Sequence, residues 1–153
     1  MDDLIARFDL AVADQWGPHL APTAESIAAV EKHFGVRLPA LLVELARKSK
    51  SFSSFFLGIG PNFHSHTHMV EKNRMVRTNE DWLRLDGGRS APSNLVFITE
   101  NFMDSFFWCL DTETDDPAGT VVYWEPCSRV EQPSFGFHSF LEAQIQDYEH
   151  RKR

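Results

Sequence analysis

The 153-residue sequence lacks several features that would place a protein in a class at once. It has only two cysteines, which are too few for a disulfide framework. It contains no run of about 18 apolar residues, so no transmembrane helix is expected. Its start, Met1-Asp2-Asp3, is acidic and lacks the basic and apolar parts of a secretory signal. We therefore expect a cytoplasmic protein without membrane attachment.

Motifs that usually indicate catalysis are also missing. No Gly-x-Ser-x-Gly elbow is present, so the Ser, His and Asp residues give no triad signal. The Gly-Ile-Gly-Pro stretch at residues 58–61 lacks the later glycine and lysine of a phosphate-binding loop. Cys109 lies in an apolar segment, which favours a buried, inert thiol over a nucleophile. We assign no catalytic residue and no cofactor, and we expect a protein that is not an enzyme.

The composition is that of an ordinary globular protein, with 42% hydrophobic and 24% charged residues. The length favours a single domain over residues 1–153. Thirteen Phe and four Trp supply large units of buried area, so the core need not be thin.

Apolar residues at helical spacing predict three helices in the first third of the chain. The first ends near residues 16–18. The second has Thr23 as its N-cap and ends at Gly35, because glycine accepts the positive φ of a helix end. The third begins at Pro39, whose fixed φ suits a first turn, and reaches about Lys48.

Two more helices are predicted further along. Met69, Val76 and Leu83 recur every seven residues, which indicates a helix over residues 66–85 that ends at residues 86–88. A C-terminal helix, with a possible capping box at Ser139-x-x-Glu142, has an apolar face formed by Phe137, Phe140, Leu141, Ile145 and Tyr148.

Strands are predicted between these helices. Residues 55–57 read as a short buried strand, and residues 95–98 as a central strand. Residues 106–110 and 120–124 are aromatic and β-branched, so they form a hairpin joined by the acidic connection 111–119. The fold class is therefore α+β, with N-terminal helices, an antiparallel sheet meander and a C-terminal helix packed on one face.

The negative charge is concentrated in one segment. Residues 91–131 contain eight acidic residues and only one basic residue, Arg129, which accounts for the whole net charge of −7. This argues against nucleic-acid binding there and favours a basic partner. The alternative is that these acids merely solvate a hairpin and its loop.

His64-x-His66-x-His68 is a candidate metal site. Alternate residues of an extended strand face the same side, so three imidazoles there can converge on a zinc ion. Three ligands in so short a stretch are awkward for one tetrahedral ion, and the simpler reading is a polar turn before the next helix. We therefore assign no metal.

The order of several short motifs resembles the SUKH superfamily, which includes bacterial toxin-immunity proteins and a yeast cell-wall regulator. The resemblance spans residues 23–148, although the turns at residues 48–52 and 100–104 depart from the family pattern. The motifs that carry it are Glu31-x-x-Phe34-Gly35-Val36-x-Leu38-Pro39, Leu95-Val96-Phe97-Ile98, Cys109-Leu110-Asp111, Val121-Val122-Tyr123-Trp124 and Phe137-His138-Ser139-Phe140-Leu141.

The resemblance implies an α+β immunity protein that has no catalytic activity and neutralises a cognate polymorphic toxin. Many toxins of this kind are nucleases. A nuclease site is basic because it holds phosphates, so an acidic hairpin can occupy it. A general protein-binding regulatory module, a small metalloenzyme and a homodimer formed through an exposed edge strand remain alternatives. The predicted partner-facing acids are Asp104, Asp111, Glu113, Asp115, Asp116 and Glu125, with Phe102 and Trp124 as apolar anchors.

Overall fold

A computed structural model describes residues 1–12, 21–52, 56–57, 66–78, 92–99, 107–114, 116–125 and 134–152. Within these ranges, helices come first, an antiparallel sheet follows, and a helix closes the chain, which confirms the α+β prediction. The elements are α1 (Asp2–Ala11), α2 (Ala24–Phe34), α3 (Ala40–Lys48), α4 (His66–Thr78), β1 (Leu95–Phe97), β2 (Phe107–Asp111), β3 (Thr120–Trp124), β4 (Ser134–Gly136) and α5 (Phe137–Arg151).

The predicted boundaries of α2 are confirmed. The Thr23 hydroxyl accepts a hydrogen bond from the Ser26 N–H at 3.1 Å, and Gly35 ends the helix with a φ of 67°. The predicted end of α1 near residues 16–18 is wrong, because the helix ends at Ala11; residues 16–18 themselves lie outside the described ranges.

Two other helix boundaries differ in detail from the prediction. Pro39 is the N-cap of α3 rather than its first residue, since its extended ψ of 135° precedes the helix while its carbonyl already accepts the Val43 N–H. Helix α4 is confirmed from His66 to Thr78, with Met69 and Val76 buried. Its predicted continuation to residue 85 and its end at residues 86–88 lie outside the described ranges.

The four strands pair in the order β1-β2-β3-β4, each antiparallel to the next. The predicted hairpin is confirmed, with a register that runs from Phe107 opposite Trp124 to Asp111 opposite Thr120. The prediction that residues 95–98 form a central strand is wrong, because β1 lies at one edge of the described sheet. Its burial comes from α4, which covers that edge.

Side chains of α4 satisfy the free backbone groups of β1. The Asn73 amide donates to the Phe97 carbonyl at 2.9 Å and accepts the Phe97 N–H at 2.8 Å. The Arg77 guanidinium donates to the carbonyls of Pro92 and Leu95. Edge strands with unpaired groups invite pairing with another chain, so these bonds protect β1 from such pairing.

The predicted strand at residues 55–57 contains one isolated bridge among the described residues, between Phe56 and Thr99. The Leu57 N–H also donates to the Ile98 carbonyl at 2.9 Å. Both Phe56 and Leu57 are buried as predicted, while residue 55 lies outside the described ranges.

Helix α5 follows β4 without a connecting turn. The Phe137 N–H donates to the Gly119 carbonyl at 2.8 Å, so the helix starts two residues before Ser139. Ser139 therefore lies inside the helix and the predicted capping box is wrong. The Phe140 ring lies 4.9 Å from the ring of Trp108 in β2, which confirms a C-terminal helix packed on one face of the sheet. Strand β4, whose three residues are all exposed, was not anticipated because it shows no alternating pattern.

Candidate partner-binding surface

The corner between α2 and α3, residues 35–39, is fixed by Glu31. The Glu31 carbonyl accepts the Val36 N–H at 3.0 Å, and its side-chain carboxylate accepts the Leu38 N–H at 2.9 Å. A single residue thus accepts three backbone N–H groups at and just past the helix end, because its carbonyl also accepts the Gly35 N–H. Leu38 and Pro39 are buried, so the corner is anchored in the core.

The acidic connection between β2 and β3, residues 111–119, is shaped by its own carboxylates. Asp111 Oδ1 accepts the Asn94 side-chain amide at 2.9 Å and the Glu113 N–H at 3.0 Å. Asp116 Oδ1 accepts the Ala118 N–H at 2.9 Å. Aspartate commonly forms turns in this way, by bonding backbone two residues further on. These two carboxylates are therefore held in place by the connection itself.

Gly119 joins the acidic connection to the corner. Its φ is 84°, and a Cβ added there would lie 2.3 Å from Pro39 Cγ. Its carbonyl accepts the Phe137 N–H, which also ties the connection to α5. Only glycine combines the positive φ with this close approach, so the relative position of corner and connection depends on Gly119.

Two neighbouring grooves lie beside this contact. The acidic groove has a volume of about 450 Å³ and is lined by residues 35–37 and 39 on the corner side, and by residues 110–112, 114, 116–117 and 119 on the other. The apolar groove has a volume of about 330 Å³ and is lined by Met1, Leu4, Ala40, Leu41, Pro117, Ala118 and His138.

Three carboxylates of the acidic connection are not neutralised from within: Asp111 and Asp116 line the acidic groove, and Glu113 lies between them in the chain. Asp111 is half-buried, and Glu113 and Asp116 are exposed. None of the three forms an ion pair in the part of the chain that the structure describes. Arg37 lines the same groove, is exposed, and likewise forms no ion pair there. This end of the hairpin therefore presents negative charge to solvent.

The structure brings together only part of the predicted site. Asp111, Glu113 and Asp116 lie at the loop end of the hairpin. Trp124 and Glu125 lie at its far end, four and five strand positions from Thr120, which pairs with Asp111, so Glu125 is about 16 Å away. The predicted residues Phe102, Asp104 and Asp115 lie outside the described ranges.

Trp124 is half-buried, and its ring packs against those of Phe97 at 5.3 Å and Phe107 at 5.9 Å. It belongs to the packing at the far end of the sheet. Sequence reasoning missed the groove residues on the corner and helix side, namely Arg37, Ala40 and Leu41, and it gave no role to Ala118 of the acidic connection. The only signal was the glycine at position 119, and it does not reveal a contact with Pro39.

The metal alternative depended on an extended backbone through the three histidines. His66 and His68 instead lie in α4, where the backbone is helical and not extended. His64 lies outside the described ranges. Among the residues that the structure describes, no group of three or more His, Cys, Asp or Glu is placed to hold a metal ion.

Cys109 is fully buried in β2, as predicted. Burial raises the pKa of its thiol well above the ordinary value, and the nearby Arg77 offsets this only in part. Such a thiol is a poor nucleophile at neutral pH.

No helix in the described ranges has the length and apolar character needed to cross a membrane.

A family model for the SMI1 / KNR4 family (SUKH-1) matches residues 21–143. The chain belongs to this family. No curated protein matches the chain significantly. In this SUKH-1 protein the matched region contains the corner, the acidic connection and therefore the whole acidic groove. The apolar groove is different, because Met1 and Leu4 of its lining precede the match.

Proposed function

We propose that this SUKH-1 protein is a non-catalytic immunity protein that binds and neutralises a cognate polymorphic toxin with a basic surface. The observation that carries the proposal is the set of three carboxylates at the loop end of the hairpin, Asp111, Glu113 and Asp116, which form no ion pair with any described residue. Family membership and the net charge of −7 support it.

The turn bonds make these carboxylates suitable for binding. Asp111 and Asp116 already accept backbone N–H groups, so their orientation is set before a partner arrives. Binding then loses less side-chain freedom than it would with mobile carboxylates. Clustered negative charge also speeds the encounter with a basic surface. An inhibitor that must capture a toxin quickly gains from both effects.

The proposal predicts that a gene for a secreted protein with a variable C-terminal domain adjoins the gene for this chain, and the test uses that domain in a catalytically inactivated form. The double variant Glu113→Gln with Asp116→Asn removes two charges while leaving Asp116 its side-chain oxygen for the Ala118 N–H. The matched control, Glu71→Gln with Glu149→Gln, removes two exposed charges from α4 and α5.

We expect the acid variant, Glu113→Gln with Asp116→Asn, to associate with the toxin domain about tenfold more slowly at low salt, and its association rate should depend less on salt. The control should match the unchanged protein, and both variants should keep its melting temperature. Equal association rates for all three proteins would overturn the role of these acids. No binding by the unchanged protein, together with no protection of cells expressing the active toxin, would overturn the proposed function.

A further inference from the structure

The apolar groove lies beside the acidic groove and differs from it in chemistry. Its lining is apolar, with Met1, Leu4, Ala40, Leu41, Pro117 and Ala118, apart from His138, which is its only titratable side chain. Ala40 and Ala118 are exposed and Leu41 is half-buried, so apolar surface remains open to solvent here. The volume of about 330 Å³ is at the small end of the range of ligand clefts. It suits one or two apolar side chains.

The two grooves share a wall. Pro117 lines both, while the consecutive residues Pro39 and Ala40 line the acidic and the apolar groove respectively. The contact between Gly119 and Pro39 holds this shared wall in place. A short segment of a partner chain can therefore reach both grooves at once, with a charged side chain on one side of the wall and an apolar side chain on the other.

We propose that the apolar groove holds an apolar side chain of the toxin, carried on the same segment whose Lys or Arg lies in the acidic groove. This inference rests on the proposed function and adds the chemistry of the partner segment to it. Charge complementarity selects this occupant: the acids beside the groove favour a segment that is basic as well as apolar. The apolar contact then slows dissociation, because a buried apolar anchor in a pocket supplies much of the binding energy of an interface.

The test fills the apolar groove without changing charge. Ala40→Trp places a large side chain in it at an exposed position in the first turn of α3. Ala28→Trp is the matched control, because Ala28 is exposed on α2 and lines neither groove. Binding of the inactivated toxin domain is measured at several salt concentrations, together with the melting temperature and the oligomeric state.

We expect Ala40→Trp to weaken binding at least about tenfold through faster dissociation, with the salt dependence unchanged. Ala118→Trp, which fills the same groove from the acidic connection, should act alike, and Ala28→Trp should have no effect. This pattern is distinct from that of the acid variant, which slows association and weakens the salt dependence.

Three results would overturn the inference. In the first, both groove-filling variants bind the toxin domain with full affinity while the acid variant associates more slowly. The proposed function would then hold, but the apolar contact would be excluded. A dimer that Ala40→Trp converts to a monomer would show that a second copy occupies the groove. Absence of toxin binding by the unchanged protein would remove the inference together with the proposed function.

Discussion

The two ends of the β2–β3 hairpin are built for different purposes. At the loop end, Asp111 and Asp116 hold the turns of the acidic connection, and the surface there opens into two grooves. At the far end, the rings of Phe97, Phe107 and Trp124 lie within 5.0–5.9 Å of one another. The first end exposes polar groups to solvent, whereas the aromatic side chains of the second pack against one another.

This difference shows how an antiparallel hairpin separates residues that look clustered in sequence. Glu125 follows Asp116 by only nine positions, yet the strand between them carries it about 16 Å from the acidic connection. A functional acid and a structural aromatic residue can thus share one sequence segment. If the two ends differ in this way, the far end should contribute most to stability, and the exposed acids of the loop end should affect binding alone.

The largest effect should come from Phe107→Ala. Phe107 is fully buried between Phe97 and Trp124, and removal of its ring leaves a cavity at the far end. We expect a loss of about 4 kcal/mol in unfolding free energy, measured by urea denaturation. The control Phe135→Ala, on a ring that is 39% exposed in β4, should lose much less. A loss below about 2 kcal/mol for Phe107→Ala would contradict the structural role of this end.

Gly119→Ala should cause the next largest loss of stability, because it disturbs the contact that positions the loop end of the hairpin against the corner. The added Cβ meets Pro39 Cγ at 2.3 Å, in a backbone conformation that disfavours side chains. We expect about 3 kcal/mol of destabilisation from overpacking and strain together. Gly35→Ala is the control, since Gly35 also has a positive φ but open space around its Cβ position. It should lose only about 1 kcal/mol, and equal losses would mean that the Pro39 contact is unimportant.

Much of the fold was predictable because local chemistry decides it. Thr23 begins α2 and Gly35 ends it, and both act on backbone groups within one turn. The β-branched and aromatic residues of β3 predict a strand from local sequence alone. The predictions were wrong where contacts with residues distant in sequence determine the structure. Residues 95–98 are uniformly apolar, which is typical of a central strand, yet Asn73 and Arg77 of α4 allow the same pattern at an edge.

The candidate site was predictable only in part, for the same reason. The acidity of residues 111–116 is a property of the sequence, and it located the loop end. Both grooves lie beside the close approach of Gly119 to Pro39, eighty positions earlier, which no local pattern reveals. Charge counting also grouped Glu125 with Asp111, since it takes no account of strand direction.

A smaller effect is expected for Asn73→Ala, which tests the support that α4 gives to β1. The variant leaves the N–H and carbonyl of Phe97 without their side-chain partner. We expect a loss of about 2 kcal/mol and faster hydrogen exchange at the Phe97 amide. Arg74→Ala, at an exposed neighbouring position of α4, is the control. Unchanged exchange at Phe97 would mean that the amide is protected without Asn73.

The smallest effect on stability, and the sharpest comparison of the two ends, comes from one chemical change made at each. Glu113→Gln at the loop end and Glu125→Gln at the far end each remove one carboxylate charge that forms no ion pair with a described residue. Both should change the unfolding free energy by less than about 0.5 kcal/mol. Only Glu113→Gln should slow association with the toxin domain, by about threefold at low salt, because Glu125 lies too far from the acidic groove to act except through a screened field. Stopped-flow association rates at two salt concentrations measure this. If both variants slowed association equally, the rate would depend on the total charge of the protein. The position of a carboxylate at one end or the other would then have no effect on binding.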